Sequence, residues 1–358
     1  MSFRKKRTVL LSSVVILFVL MILDASIRKE EMLEMFSEQF VNVQRTEAHE
    51  QTLHGETAEE QRQVEMDRQG IEEVLLTGIG VNMSIQRAGG EKIRLEYNVK
   101  VSGSSKEKLA AELNRITVQA ETKDGKLMFR ALSAGKPIHS DWVFMEYTLY
   151  LPDSLSLRVE NEGGAVRVQA ARGDVKVKLA RGMLEILDVE GNISVESSLS
   201  NIYVADIVGN LDLNSHNGQT NAEQIQGKVH LQNQYDQTRI RKIQGGVTGT
   251  TLAGSIQVEE ISGPVALQGR ETAIQAANVL GDLQLLAKTG EIRLLIPEKE
   301  GYRLDAAATN GRILTHLPLP MVTDRDGEYT ERIKGIIGEG AWKADVKADS
   351  ADIIIQHK

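Results

Sequence analysis

Glycine recurs at nine-residue intervals from Gly164 to Gly290. Twelve of the fifteen positions in this series are glycine, and the others are Ser200, Asp236 and Thr272. An aliphatic residue stands two and four positions after most members of the series, and residues two apart lie on one face of a strand. Each unit therefore predicts a turn and a short strand, and self-similarity at a fixed period is typical of a solenoid.

The full period is eighteen residues, because only alternate units carry an additional aliphatic residue two places before the glycine. These residues are Val189, Ile207, Ile225, Ile243, Ile261 and Val279. One coil thus contains two unlike strands, and about seven coils at ~4.8 Å each would extend roughly 34 Å. An aromatic content of only 4% fits such a narrow core. The G-G-x-G-x-D repeat of calcium-binding rolls is absent, so we predict no calcium site.

The predicted fold class is all-β: a parallel β-solenoid, or β-helix, with 18-residue coils of two nine-residue units each, over residues 152–296. A cap is expected at both ends, because terminal coils would otherwise expose core and strand edges. Residues 71–151 form the predicted β-rich N-terminal cap. Residues 297–358, where Pro297 breaks the period, form the predicted C-terminal coils and cap, with Trp342 buried.

Local signals define elements inside the N-terminal cap. Alternating apolar runs flank Gly89-Gly90 and Asp124-Gly125, and both pairs predict hairpins. The segment Ser104–Glu107 resembles a capping box that opens a short helix through Leu109 and Leu113.

The N-terminus predicts a membrane anchor. Residues 1–7 form a basic tail with Arg4, Lys5, Lys6 and Arg7, and residues 8–27 form the predicted transmembrane signal anchor, uncharged from Thr8 to Leu23. Cleavage is disfavoured because Leu23 occupies a position that requires a small side chain, although a cleaved signal peptide stays the alternative. The positive-inside rule places the N-terminus in the cytoplasm and the bulk of the chain outside the cell membrane.

Residues 28–70 follow the anchor and are predicted to form a stalk. They contain one glycine before Gly70 and no proline, and they are dense in Glu, Gln and Arg. Apolar residues recur near the helical period, so we expect the stalk to be helical or disordered.

Charge and cysteine content limit the partners. The chain has no cysteine, which suits an exported protein. Without the four N-terminal basic residues, the chain has 38 Lys and Arg and 50 Asp and Glu, which gives a net charge of −12. This charge disfavours the binding of nucleic acid. The expected partners are the membrane, through a single span, and an envelope glycan, peptide or membrane protein.

Three repeats carry a resemblance to a known family. They are V-E-G-N-I-S-V (Val189–Val195), I-V-G-N-L-D-L (Ile207–Leu213) and V-L-G-D-L-Q-L (Val279–Leu285). Over about residues 71–358 the chain resembles the bacterial putative-adhesin domain family of unknown function. The resemblance implies a β-solenoid, often attached to a membrane helix in the cell envelope, and it brings no catalytic residues.

One pair of acidic residues is the candidate for a catalytic site. Asp188 and Asp206 are one period apart and would lie about 5 Å from each other, the separation of a retaining glycosidase pair. No arginine is expected beside them, so a solvated ladder is favoured over catalysis. The seven histidines lack metal-ligand spacing, and nucleophile, P-loop and dinucleotide motifs are absent. We therefore predict no catalytic residue, no metal site and no cofactor.

A candidate ligand face comprises the outward residues Tyr203, Asn221 and Arg239. They are expected to stack on one face over the middle coils, whose cores are weaker at Gln219–Ala222 and Asp236–Ile240 because polar or small residues point inward. The predicted function is an adhesin-like binding or scaffolding module of the bacterial cell envelope. An envelope-stress or regulatory sensor and a carboxylate-dependent polysaccharide-acting enzyme are the alternatives.

Overall fold

The computed structural model describes residues 56–103, 105–138, 142–297, 299–324 and 329–357. Twenty-six strands join there into one continuous hydrogen-bonded sheet, and a single α-helix accompanies them in the described part. The sheet folds into two faces, called sheet 1 and sheet 2, that enclose one hydrophobic core. In each coil the chain passes from sheet 1 to sheet 2 at a first corner and enters the next coil at a second corner.

The N-terminal segment supplies the first strands and the helix. They are β1 (Glu56–Asp67), β2 (Glu73–Gly78), β3 (Asn82–Arg87), β4 (Lys92–Gly103), α1 (Lys106–Arg115), β5 (Ile116–Lys123), β6 (Lys126–Ser133), β7 (Lys136–Pro137) and β8 (Val143–Leu151).

The repeats follow as parallel strands. They are β9 (Ser156–Asn161), β10 (Ala165–Gln169), β11 (Val175–Glu190), β12 (Ile193–Val208), β13 (Leu211–His216), β14 (Gln219–Ile225), β15 (Val229–Gln234), β16 (Asp236–Ile243), β17 (Val247–Ile261), β18 (Val265–Val279), β19 (Leu283–Thr289) and β20 (Ile292–Ile296). Where these strands pair with one another, the partners are eighteen positions apart, as Val175 and Ile193 are. The predicted 18-residue coil is therefore confirmed.

The C-terminal strands are β21 (Tyr302–Thr309), β22 (Ile313–Thr315), β23 (Met321–Asp324), β24 (Thr330–Ile336), β25 (Trp342–Ser350) and β26 (Ile353–His357). The last coil in sequence, β25 and β26, lies between the coil of β19 and β20 and the coil of β21 and β22. The antiparallel pair β23 and β24 ends sheet 1. Trp342 is half-buried against Tyr302, with ring centroids 6.1 Å apart.

Strand pairing gives the order of both sheets. Sheet 1 runs β5-β6-β2-β9-β11-β12-β13-β15-β17-β18-β19-β25-β21-β24-β23, with β7 paired to the end of β6. Sheet 2 runs β1-β4-β8-β3-β10-β11-β12-β14-β16-β17-β18-β20-β26-β22. The long strands β11, β12, β17 and β18 bend through the first corner and belong to both sheets.

Alternation decides which side chains fill the core. Ile193 and Val195 of β12 point inward and are buried, while Ser194 and Glu196 between and beyond them face solvent. The additional aliphatic column of alternate units, which includes Val189, lies buried at the second corner. The interior is thus a stack of aliphatic layers, as the period predicts.

Close approach of successive coils explains the glycine series. A Cβ on Gly182 would lie 2.1 Å from the carbonyl oxygen of Gly164, one coil earlier, and Gly182 has a φ of +124°. Both the space and the backbone conformation at this first corner require glycine.

Two predictions about the N-terminal segment were wrong. The stalk was expected to extend to residue 70, but Glu56–Asp67 is strand β1, antiparallel to β4. Its pairing, and the hydrogen bond from Arg62 Nη2 to the Leu113 carbonyl (3.0 Å), are long-range contacts that a local pattern does not encode. Gly89-Gly90 does not close a hairpin either, because β8 lies between β3 and β4 and pairs with both.

Other local signals agree with the structure. Asp124-Gly125 connects the antiparallel strands β5 and β6, and both residues have positive φ. The predicted short helix is α1, with Leu109 and Leu113 buried. Its N-cap, Ser105, makes no side-chain capping hydrogen bond.

The predicted membrane span at 8–27 lies outside the described residues, as do the basic tail and the stalk before Glu56. Across the stretches that are described, no helix combines the length and apolar character needed to cross a bilayer.

Candidate functional site

The outward side of sheet 2 brings the predicted ligand-face residues together. Tyr203, Asn221 and Arg239 are direct parallel register partners on β12, β14 and β16. Arg239 is exposed, whereas Tyr203 and Asn221 are half-buried. The three side chains therefore form one column across successive coils.

A second column two residues along the same strands was missed at the sequence level. The Tyr203 hydroxyl donates to Glu223 Oε1 at 2.8 Å, and Arg241 Nη2 donates to Glu223 Oε2 at 2.9 Å. Burial alone would raise the pKa of Glu223, but these two hydrogen bonds, together with the charges of Arg241 and Lys242, outweigh it and hold that pKa below its usual value. The signal was the two-residue alternation itself, since Glu223 and Arg241 are also outward positions.

This pairing anchors the candidate face. Burial, followed by the hydrogen bond to Glu223, raises the pKa of the Tyr203 phenol, so that hydroxyl stays protonated. Its ring is held in place by an internal partner, and Arg239 is left as the exposed charged group of the column.

The acidic pair has a conformational explanation. Asp188 (φ +52°) and Asp206 (φ +59°) occupy the left-handed region at the second corner, as do the equivalent residues of the following coils, Gln224, Lys242, Glu260 and Asn278. Aspartate and asparagine tolerate this region better than most residues do. Both acids thus occupy positions that belong to the turn.

The neighbours of Asp188 differ from the sequence expectation. Arg172 donates from Nη1 to the Asp188 carbonyl at 2.8 Å, and its Nη2 lies 3.4 Å from Asp188 Oδ1. The same guanidinium lies 3.1 Å from Glu190. The expectation of no arginine beside the pair was wrong. Arg172 lies at the second corner of the preceding coil, where it forms a bridge with Glu190 and reaches Asp188. Gln224 donates to Asp206 Oδ1 at 2.6 Å, which completes a structural ladder.

A shallow charged cleft of about 400 Å³ lies near the N-terminal end of the repeats. Arg87 binds Asp153 in a bidentate pair at 2.7 and 2.6 Å along its wall. The hydrogen bond from Arg87 lowers the pKa of Asp153. Since these charges neutralise each other, the cleft has no strong electrostatic preference for a charged ligand.

A polar cluster lies inside the first corner of the middle coils. Asp236 and Asn233 are buried, and the Ser215 hydroxyl donates to Asp236 Oδ2 and contacts Asn233 Oδ1 at 3.0 Å. Asn233 Nδ2 donates to Thr238 Oγ1 at 2.5 Å.

Burial raises the pKa of Asp236, and hydrogen bonds from Ser215 and the Gly218 backbone only partly offset this increase. The inward Thr220, Ala222 and Thr238 were expected from the sequence, but Asp236 was not expected to be a buried acid.

Metal ligands are not gathered anywhere in the described stretches, where no group of three or more His, Asp or Glu side chains is placed to hold an ion. His216 and His230 each form a hydrogen bond with the next coil. The His216 Nδ1 is 3.0 Å from Gln234 Oε1, and the His230 Nδ1 is 3.1 Å from Thr248 Oγ1.

The two-sheet coil architecture corresponds to a known family. Residues 71–356 match the family described as Toastrack DUF4097. The chain belongs to the Toastrack DUF4097 family. The resemblance to a bacterial putative-adhesin domain of unknown function is thereby confirmed. No curated protein matches the chain.

Three solved structures are similar to this Toastrack chain. A putative cell adhesion protein from Clostridium sporogenes is 12% identical, with 85% of this chain and 100% of that chain covered and a TM-score of 0.21. A putative adhesin from Bacteroides fragilis is 11% identical, with 63% and 97% covered and a TM-score of 0.32. A putative adhesin from Parabacteroides merdae is 13% identical, with 65% and 97% covered and a TM-score of 0.25.

Proposed function

We propose that the chain is an adhesin-like binding or scaffolding module, anchored in the cell membrane by one N-terminal span and carrying its Toastrack solenoid outside the cytoplasm. The column of Tyr203, Asn221 and Arg239 carries the proposal. It repeats a side-chain position at the ~4.8 Å strand spacing. A regular polymer can therefore contact equivalent positions in successive coils, and many weak contacts add together.

The membrane placement rests on the sequence. Four basic residues precede the uncharged segment Thr8–Leu23, which favours a cytoplasmic N-terminus and an external solenoid. An envelope partner, either glycan, peptide or membrane protein, is then the class of ligand that the outward face meets.

The chain binds in this proposal and does not catalyse. Asp188 and Asp206 are corner residues whose conformation explains their identity, and Arg172 and Gln224 are their hydrogen-bond partners.

Binding to purified envelope polysaccharide tests the face. The full chain in detergent is compared with the triple variant Tyr203→Ala, Asn221→Ala, Arg239→Ala. The matched control, Ser194→Ala, Asp212→Ala, His230→Ala, removes a register column from the outward side of sheet 1. We expect about a tenfold or larger loss of affinity in the first variant only. Equal affinities of both variants, with unchanged thermal melts, contradict the assignment of the face.

The catalytic alternative is tested with the double variant Asp188→Asn, Asp206→Asn. Asparagine retains the left-handed corner, so the fold is expected to persist. We expect polysaccharide binding to be unchanged and no release of reducing sugar by either protein. Release of reducing sugar by the wild-type chain that disappears in the double variant would establish an enzyme instead.

A further inference from the structure

The first corner between β15 and β16 reverses the usual distribution of polarity. Tyr235 lies outside with 55% of its surface exposed, while the next residue, the carboxylic acid Asp236, is 1% exposed. A large ring in solvent beside an acid in the core is the opposite of what folding alone favours.

Tyr235 also differs from the other tyrosines in its hydroxyl. Six of the chain's seven tyrosines have a hydroxyl partner: Tyr97 with Arg62, Tyr147 with Met145, Tyr150 with Glu96, Tyr203 with Glu223, Tyr302 with Val279 and Tyr329 with Glu331. Within the described residues, Tyr235 has no such hydrogen bond. Its ring is also the most exposed of the tyrosines. Both its apolar face and its polar group are therefore accessible to a ligand.

The backbone at this position is unfavourable for tyrosine. Tyr235 has a φ of +59°, in the left-handed region that bulky residues rarely adopt. The equivalent residue one coil earlier is Asn217, at φ +57°, which tolerates the same conformation. The turn does not require an aromatic residue here, so the ring points to a role other than forming the corner.

An imidazole and several amide side chains lie at the same corner as the ring. His216 stands perpendicular to it, with centroids 5.7 Å apart and an interplanar angle of 89°. The His216 Nδ1 is 3.0 Å from Gln234 Oε1, which fixes the imidazole. The corner is flanked by exposed amide side chains at Asn217, Gln219 and Gln237. Amides offer both donors and acceptors without charge.

The interior of the corner holds this arrangement rigid. Asp236 accepts from Ser215 in the preceding coil, and Asn233 donates to Thr238 across the turn. The backbone on both sides of Tyr235 is thus fixed from within the core. A preformed platform of this kind loses little conformational entropy when a ligand binds.

We infer that Tyr235, with His216 and the surrounding amides, forms a binding site for an uncharged sugar ring of an envelope glycan. The C–H face of a pyranose packs on an aromatic ring, and its hydroxyls match amide donors and acceptors. This inference rests on the proposed binding function and names the ligand class at a separate place on the solenoid.

A peptide strand is a poorer match for the corner. Strand addition needs an unpaired edge, but β15 is paired with β13 and β17, and β16 with β14 and β17. An anionic polymer would need fixed cations around the ring, whereas the exposed side chains that flank the corner, Asn217, Gln219 and Gln237, are amides.

The experiment measures binding of the full chain in detergent to immobilised uncharged oligosaccharides of glucose, galactose and N-acetylglucosamine, with a peptide array in parallel. We expect at least one neutral oligosaccharide to bind. Tyr235→Asn, which introduces the residue of the preceding coil, should keep the thermal melt and lower the affinity about tenfold or more. Tyr235→Phe retains the ring and should lose only a few-fold, on the order of one hydrogen bond. Val208→Ala, at an exposed apolar residue of another corner, is the control and should bind as the wild type does.

Three outcomes overturn the inference. In the first, Tyr235→Asn and the wild type bind the sugars with equal affinity. In the second, the wild type binds peptides and no sugar. In the third, the wild type binds envelope fractions but none of the neutral oligosaccharides. The last two leave the proposed binding function standing. A chain that binds neither envelope fractions nor any arrayed probe contradicts both proposals.

Discussion

At the scale of single residues, the corners of the coils decide which side chains are unusual. The left-handed position of the second corner is occupied by polar residues in successive coils, among them Asp188, Asp206 and Asn278, so these residues belong to the turn. The first corner alternates between glycine and a buried polar residue, as Gly218 and Asp236 show. Asp236 is the residue where this pattern has the largest energetic consequence, because an ionisable group lies in the core.

Replacing Asp236 by asparagine should stabilise the protein at neutral pH. Burial raises the folded-state pKa of Asp236 above the unfolded value of 3.8. The folded state then binds more protons, so stability falls as the pH rises from about 3.8 through the folded pKa. His216 is the titratable neighbour that favours the ionised form. We expect Asp236→Asn to gain about 1–3 kcal/mol at pH 7 and to flatten this slope.

Thermal melts between pH 3 and 8 check this expectation, with the exposed Asp212→Asn as control. The control should follow the wild-type profile throughout. A wild-type stability that increases with pH across this window relative to Asp236→Asn would show that the buried carboxyl is stabilised in its charged form.

Gly182→Ala should be strongly destabilising. Its Cβ would meet the Gly164 carbonyl oxygen at 2.1 Å, and the φ of +124° is strained for alanine. We expect a loss of about 2–4 kcal/mol in the free energy of unfolding. Gly89→Ala is the matched control, because nothing lies within 4 Å of its added Cβ. Similar chemical denaturation curves for the two variants would contradict the close contact between coils.

At the scale of elements, the eighteen-residue register joins each repeat strand by backbone hydrogen bonds to the strands of the coils before and after it. Side-chain ladders reinforce it at the second corner, where Asn192 Oδ1 accepts from the Asn210 backbone at 3.2 Å and Asn210 Oδ1 accepts from the Lys228 backbone at 2.9 Å. A shift of one residue would turn every inward side chain to solvent, so the register is strongly fixed by burial.

Ile193→Asp and Gln257→Asp test this register. Ile193 is 2% exposed, so an aspartate there buries an unpaired carboxyl and should cost several kcal/mol. Gln257 is an outward, half-buried residue between the buried Ile256 and Val258, and its replacement should change stability by about 0.5 kcal/mol or less. Equal thermal melts of the two variants would disprove the inward and outward assignment.

At the scale of the described molecule, the ends of the solenoid depart from chain order. The strand β8 enters sheet 2 between β3 and β4, and the last coil, β25 and β26, enters before the coil of β21 and β22. The repeats between Gly164 and Gly290 thus keep sequential stacking, while both terminal regions close it with non-local pairings that raise the contact order.

The proposed topology predicts the result of protease treatment on wall-stripped cells. In this proposed topology the basic residues Arg4–Arg7 lie inside, so added protease should remove the solenoid and leave a short membrane-embedded stub. Immunoblotting with tags at the two ends of the chain follows both products. A mature protein that starts near Ala25 and is released without detergent would show cleavage of a signal peptide.

The sequence by itself determined the coil. Glycine spacing, two-residue alternation and the Val189–Val279 column are local and repeat many times, so the period, the inward residues and the family resemblance followed from them. The alignment of Tyr203, Asn221 and Arg239 followed as well, because in-register stacking converts sequence spacing into contact. Only the tertiary structure decided β1, the insertion of β8 and the final coil, since these depend on partners distant in sequence. It also placed Arg172 beside Asp188 and buried Asp236 behind Tyr235, because corner conformation and burial are set by the neighbouring coils.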